Sequence, residues 1–249
     1  MSVLMDLLAE IKKKKELSGL SDEFVSEILN KHIRNIKLDL LKSTEKKLLV
    51  KEVRADLRRT SGMFQKSFRN RKSFLEKEDI ASLLKTHSST SERLEIYPEL
   101  KELIHSLKPL SILDLGCGLN PLALASKEVI YYAVDIRGDE LDLIDSFFRK
   151  NKFRGKVFLQ DLRKPIDNLP SADLCLILKL LDLLSRKQAE NLMKNVSCRK
   201  IIISFSTKTL SGKKMRISRR LWFEQLLSKL NYSFSTRQSG NEVFYIVEK

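Results

Sequence analysis

Ile112-Leu113-Asp114-Leu115-Gly116-Cys117-Gly118-Leu119-Asn120-Pro121 is the stretch on which the fold turns. Its apolar start, Ile112 to Leu115, predicts a strand buried on both faces. The run breaks at Gly116 and Gly118, where the lack of a Cβ lets the backbone turn sharply and pass close to a ligand. About twenty residues on, Tyr131-Tyr132-Ala133-Val134-Asp135-Ile136 predicts a second strand that ends in an acid. A nucleotide-binding α/β sheet places an acid there to accept hydrogen bonds from ribose hydroxyls. Strand, glycine loop and correctly spaced acid together are far more specific than a Gly-x-Gly pair alone.

Further strand-like runs lie at 111–115, 130–135, 156–160, 173–178 and 200–205, with two late ones near 231–236 and 242–247. Helical patterns fall between them at 121–127, 138–150, 185–195 and 217–229. Alternating β and α units imply a mostly parallel sheet with helices on both faces. Only Gln238-Ser239-Gly240-Asn241 separates the last two strands, so a hairpin there makes the final strand antiparallel. That feature separates Rossmann-like S-adenosylmethionine (SAM) methyltransferases from dehydrogenases. The expected fold class is therefore α/β: a Rossmann-like SAM methyltransferase sheet with an antiparallel last strand, preceded by a helical N-terminal domain.

The helical part rests on periodicity. No proline precedes Pro98, and the first 85 residues hold only Gly19 and Gly62. Leu4, Leu7, Leu8 and Ile11, then Phe24, Val25, Ile28, Leu29, Ile33, Ile36 and Leu40, recur at helical spacing. Ser21 and Ser43 read as N-caps and Gly62 as a helix end, giving three to five helices. The expected division is a basic helical docking domain at 1–86 and a methyltransferase domain at 87–249.

Composition narrows the setting. The 249 residues, 42% hydrophobic and 32% charged, suit one sizeable domain and a smaller one. No apolar run approaches the roughly 18 residues of a membrane span. The N-terminus reads as an amphipathic helix start rather than a signal peptide, so the expected location is cytoplasmic. Cys117, Cys175 and Cys198 have neither paired nor metal-ligand spacing, so reduced thiols and no metal site are expected.

A net charge of +15 calls for a polyanionic partner. Two windows carry basic residues and no acid: Arg58, Arg59, Lys66, Arg69, Arg71 and Lys72 in the first, and Lys208, Lys213, Lys214, Arg216, Arg219 and Arg220 in the second. Together they read as two sides of one nucleic-acid footprint. Phe64, Phe68 and Phe74 in the first window have near-helical spacing and read as core rather than base-stacking residues.

In such a fold the cofactor crosses the carboxyl ends of the first, second and fourth strands. Gly116 and Gly118 would pass close to its methionine and ribose, Asp135 would take the ribose hydroxyls, and Ile136 would pack on adenine. Gln160, Asp161 and Leu162 suit adenine recognition. Lys179, ending the fourth strand, falls at the transfer centre. In the linker His87-Ser88-Ser89-Thr90-Ser91-Glu92-Arg93-Leu94, Arg93 suits the methionine carboxylate, with Thr90 and His87 as neighbouring hydrogen-bonding groups. The same stretch also resembles a capping box closed by Glu92. His32 and His105 read as structural.

These residues fall in an ordered set of motifs. They are His-x-Ser-Thr-x-Glu-Arg-Leu (87–94), Asp-x-x-Cys-Gly-Leu-Asn-Pro-Leu-Ala (114–123), Asp-Ile (135–136), Leu-Gln-Asp (159–161) and Lys-Leu-Leu (179–181). Ser-Phe-x-Thr-x-x-Leu-x-Gly (204–212), Trp-Phe-Glu (222–224) and Asn-Glu-Val-Phe-Tyr (241–245) complete it. Over roughly 87–249 the chain resembles the Arm-type aminoglycoside-resistance 16S rRNA methyltransferases. The resemblance implies methylation of N7 of guanine 1405 in the small ribosomal subunit, with the 30S subunit as partner, and it adds Asn120 to the cofactor-binding set. Ser206 and Asp182 stand where that family usually or often has proline, and the segment from Thr209 to Trp222 is more Arg-rich.

Guanine N7 carries a lone pair and no proton, so its attack on a sulfonium methyl needs no general base. Catalysis by positioning follows, and the sequence offers no acid–base dyad. The Asn/Asp-Pro-Pro-Tyr signature of exocyclic-amine methyltransferases is absent, and no cysteine stands where a pyrimidine-C5 enzyme needs a nucleophile. N7 lies in RNA's deep major groove, so the base must be unpaired, flipped or distorted. Phe205 would stack on it or pack in the core; Trp222 reads as a helix-packing residue. The expected enzyme is a monomer. Its alternatives are a SAM-dependent methyltransferase of another rRNA or tRNA site, and a ribosome-binding protein that retains SAM without turnover.

Overall fold

A computed structural model describes residues 3–34, 36–61, 64–166, 168–208, 213, 215 and 219–249. Its centre is a seven-stranded sheet: β1 (Ser111–Leu115), β2 (Ile130–Asp135), β3 (Gly155–Leu159), β4 (Leu174–Leu178), β5 (Lys200–Ser206), β6 (Ser233–Ser239) and β7 (Glu242–Glu248). The order is β3-β2-β1-β4-β5-β7-β6. Five strands run parallel, and β7 lies antiparallel between β5 and β6. The left-handed Gly240 (φ 51°) turns the β6–β7 hairpin. Strand order reverses between β1 and β4, and at such a switch point a crevice opens beyond the strands' carboxyl ends.

β4 is buried along its whole length, as a central strand covered on both faces must be. One face packs with α8 (Tyr97–Ser106), α9 (Pro121–Leu124) and α10 (Gly138–Asn151). The other packs with α11 (Arg186–Asn195) and α12 (Leu221–Lys229), around Phe205, Phe223 and Tyr245.

Before the sheet come α1 (Val3–Lys12), α2 (Lys15–Ser18), α3 (Asp22–Ile33), α4 (Ser43–Thr60), α5 (Arg71–Glu76), α6 (Ile80–Lys85) and α7 (Ser88–Glu92). The helix count through residue 86 exceeds the expected three to five, because α2, α5 and α6 are too short to show a period. Helices α1 to α4 enclose their own core of Leu7, Ile11, Leu17, Val25, Leu29, Val53 and Leu57. Leu83 and Leu84 of α6 belong to the core of the sheet instead, with Phe74 and Leu75 of α5 against it. Apolar packing therefore changes partner between Leu57 and Phe74, ahead of the boundary expected at residue 86.

Ser21 caps α3, accepting from the Phe24 N–H. Ser43 is not a cap: it is the first helical residue of α4, and the Glu45 carboxylate accepts from the Lys42 N–H. Gly62 lies outside the described residues. So do residues 217 and 218, and the last helix starts at Leu221. The helix at 121 ends at Leu124, short of 127. His32, read as structural, pairs with Asp56 at 2.8 Å. No helix among the described residues is long and apolar enough to cross a membrane.

Candidate active site

The crevice is built where the quoted loop meets the end of β2. Gly116 (φ 69°) and Gly118 (φ 49°) carry the chain round it, and the N–H groups of Gly116 and Cys117 both bond the Val134 carbonyl. A Cβ on Gly116 would stand 3.0 Å from Leu180 Cδ1, and one on Gly118 would stand 3.1 Å from His87 Cε1. These positions tolerate no side chain without movement of the crevice wall.

Asp135 ends β2 with both carboxylate oxygens engaged by backbone. Oδ2 accepts from Gly118 N at 2.9 Å, and Oδ1 from Ile136 N at 2.7 Å and Arg137 N at 3.1 Å. Burial, with the nearby charge of Glu140, pushes its pKa up to about 6, against the pull of those N–H groups. Gln160 follows β3 and donates its N–H to the Asp135 carbonyl. Asp161 accepts from Arg163 Nε at 2.9 Å, which holds its carboxyl below the ordinary range despite its burial. Arg163 also reaches Glu27 of α3 at 3.1 Å and lies over the Phe24 ring.

Nine residues expected at the cofactor line one cleft: His87, Gly116, Gly118, Asp135, Ile136, Gln160, Asp161, Leu162 and Lys179. Thr90, Arg93 and Asn120 do not; they stand behind it. Thr90 bonds the Leu84 carbonyl at 2.7 Å. Arg93, 1% exposed, donates through Nε to Glu242 at 2.8 Å and through Nη1 to Asn120 Oδ1 at 3.0 Å, which leaves Nη2 without a partner. Arg93, expected at the methionine carboxylate, thus spends two of its donors on Glu242 and Asn120 behind the cleft.

Two transfer-site expectations also change. Lys179 lines the cleft with a left-handed backbone (φ 58°), but its ammonium is held by Glu92 at 2.6 Å and Glu242 at 3.1 Å. Glu92 therefore serves Lys179 and closes no capping box on α7; the cap residue, His87, makes no side-chain cap bond. Phe205 is fully buried in an aromatic cluster with Trp222, Phe223 and Tyr245, so it is core and stacks on no base. Trp222 packs within that cluster, with Arg186 over its face.

The reading of the sequence missed the opposite wall. Phe24, Thr60, Ser61, Phe64 and Gln65 from the N-terminal part complete the cleft, as does Glu140. The docking is backbone-deep: Ser21 N–H bonds the Ile136 carbonyl at 3.1 Å, and Gly138 N–H bonds the Gly19 carbonyl at 2.8 Å. Ile136 accordingly packs against the helical core. Phe64 stood in a basic window, and Glu140 stood one helical turn beyond Asp135. Phe24 offered no local signal.

The basic residues separate into surface and interior. Lys66, Arg69, Lys72 and Lys208 are exposed. Arg58 pairs with Glu16, Arg59 with Asp56 and Arg219 with Glu224, all remaining substantially exposed. Arg71 is no surface group. It is 8% exposed and bonds Thr86, Gln65 and Glu140. Arg220 is mostly buried on Asp182 and the Ser206 carbonyl. Lys213 is exposed, while Lys214 and Arg216 lie outside the described residues. Windows free of acid in sequence thus meet acids from elsewhere in space.

The strand order, the antiparallel β7 and a glycine-walled cleft ending in Asp135 define a SAM-dependent methyltransferase of Rossmann-like fold. Two glycines where a Cβ would crowd the crevice wall, an acid fixed by backbone N–H groups at the end of β2 and a buried, unpartnered carboxylate oxygen on Glu140 fit that cofactor. Residues 76–246 match the model of the ribosomal RNA methyltransferase (FmrO) family, and the chain belongs to that family. It is 33% identical over 180 residues to the 16S rRNA (guanine(1405)-N(7))-methyltransferase of Serratia marcescens, covering 69% of this chain and 70% of that protein. It is 29% identical to the enzyme of the same name from Frankia casuarinae, over 68% of this chain and 64% of that one. The solved structure of the 16S rRNA methylase RmtB is similar over 99% of this chain and 98% of its own, at 27% identity and a TM-score of 0.79.

Proposed function

We propose that this protein transfers the methyl group of SAM to N7 of guanine 1405 in 16S rRNA. It would act on the 30S subunit, as a cytoplasmic monomer, and so confer aminoglycoside resistance. The carrying observation is the reach of the likeness to RmtB. It extends through helices α1 to α4, which lie outside the 76–246 family match and make one wall of the cleft. The names of the Serratia and Frankia relatives supply the target nucleotide.

SAM, when bound, supplies an electrophilic sulfonium methyl. The chain's own part is to hold and to exclude. Asp135, fixed by three backbone N–H groups, presents acceptors for ribose hydroxyls, and Ile136 with Leu162 offers apolar surface for adenine. Gln160 and Asp161 bracket the adenine edge, the latter held by Arg163. Leu178 and Leu180 keep the floor of the cleft apolar, and Lys179 is neutralised by Glu92 and Glu242 rather than poised as a base. N7 gives up no proton, so orientation is the catalytic contribution. Exposed Lys66, Arg69, Lys72 and Lys208 would dock the enzyme through phosphates.

Methyl transfer from labelled SAM onto purified 30S subunits, followed by mapping of the modified nucleotide, tests this reading. Label at guanine 1405 N7 is expected. No incorporation would overturn it, and label elsewhere would reassign the target.

A further inference from the structure

Glu140 is a cleft acid to which the reaction above gives no task. It stands in the first turn of α10, fully buried, and lines the same wall as Asp135. Its Oε1 is taken from behind, where Gln65 Nε2 donates at 3.0 Å and Arg71 Nη1 at 3.1 Å. Its Oε2 is buried and has no hydrogen-bond partner. Burial alone would push this carboxyl up, yet neighbouring His87, Arg71 and Arg137 more than offset that and keep it below the ordinary range.

A buried carboxylate oxygen without a donor is expensive, and native structures keep such groups where something else supplies the bond. Asp135 beside it is differently committed. Three backbone N–H groups fix its plane and leave each oxygen room for a further donor. Two acids on one wall, one locked by backbone and one held by side chains, match a ligand with two adjacent hydroxyls. A hydroxyl donating to a carboxylate is a strong, charge-assisted bond, so each acid is best served by its own.

We propose that Asp135 and Glu140 divide the ribose diol of the cofactor between them, Glu140 Oε2 accepting from one hydroxyl and Asp135 from the other. The proposal rests on the SAM-binding reading. It makes Glu140 a binding residue, with Gln65 and Arg71 its positioning residues. Because both come from the segment joining the helical core to the sheet, ribose recognition is anchored in the N-terminal part of the chain.

Calorimetric binding of S-adenosylhomocysteine and its 2′-deoxy and 3′-deoxy analogues tests the division, using the intact chain and its Glu140→Met, Glu140→Gln and Asp135→Asn variants. The unmodified chain should lose roughly tenfold or more in affinity for either deoxy analogue. In Glu140→Met the penalty for one analogue should disappear while the other persists, and Asp135→Asn should show the complementary pattern. Equal tolerance of both analogues by the unmodified chain overturns the proposal, as does a Glu140→Met variant that keeps both penalties. Should Glu140→Met lose its fold, the isosteric Glu140→Gln decides: unchanged penalties in it overturn the division. Failure of the unmodified chain to bind S-adenosylhomocysteine at all would overturn the cofactor reading, and the division with it.

Discussion

His87 lies beneath Gly118 with its ring stacked on Phe64, centroids 5.8 Å apart. Burial, opposed by Glu140 but reinforced by Arg71, Arg93 and Arg137, pushes its pKa down to about 4. The folded chain therefore holds His87 neutral, whereas the unfolded chain protonates it near 6.5. Between those values the unfolded state binds the extra proton. The stability His87 contributes is full above pH 6.5 and drains as pH falls toward 4, by about 3 kcal/mol in all. Site-resolved NMR titration should give a His87 midpoint near 4, and a midpoint near 6.5 would contradict its burial. Asp114, raised by burial to about 7, works with the opposite sign, its cost growing as pH climbs from about 4 to 7. Gly118→Ala should lose about 1–3 kcal/mol in urea unfolding, because it forces a Cβ into the left-handed region against the His87 ring. Gly116, Gly118 and Asp135 were legible in the sequence because a turn and a strand end are local events. The ion pairs of Lys179 and the burial of Phe205 were not legible, because Glu92, β7 and α12, far away along the chain, set them.

Strands show the same division between local and distant causes. Each expected strand forms within about three residues of its place, since a buried parallel strand needs only its own apolar run. Helix α5 shows what such patterns leave out. Arg71, Lys72 and Arg69 look alike in sequence, but Arg71 turns inward to Glu140 while the other two stay in solvent. Arg71→Met should therefore cost about 3–5 kcal/mol in chemical denaturation, because Glu140 is left as a buried, uncompensated charge. Charge reversal at Arg69 and Lys72 should leave stability within about 0.5 kcal/mol. The same reversal should weaken 30S binding in a filter assay while S-adenosylhomocysteine affinity holds. A large stability loss in the reversal variant, or none in Arg71→Met, would invert this assignment of inside and outside.

The molecule as a whole is joined at its cleft. Helices α1 to α4 have their own apolar core, yet Phe24, Ser61 and Phe64 form a wall opposite the glycine loop, and residues 19–21 bond the backbone at 136–138. A ligand gripping both walls stabilises both bodies at once. At about a hundred times its dissociation constant, S-adenosylhomocysteine should add about 2.7 kcal/mol. Hydrogen exchange should slow together in α3, α4, β1 and β2; protection confined to the sheet would show that the helices take no part in binding. The shared wall also has a pharmacological meaning. A sheet of this order is common to many methyltransferases, but Phe24 belongs to α3 and Phe64 to the segment that follows α4. A competitive inhibitor extended from the cofactor site toward these two rings would meet surface that the common sheet does not carry, and its selectivity would come from the N-terminal part rather than from the cofactor-binding core.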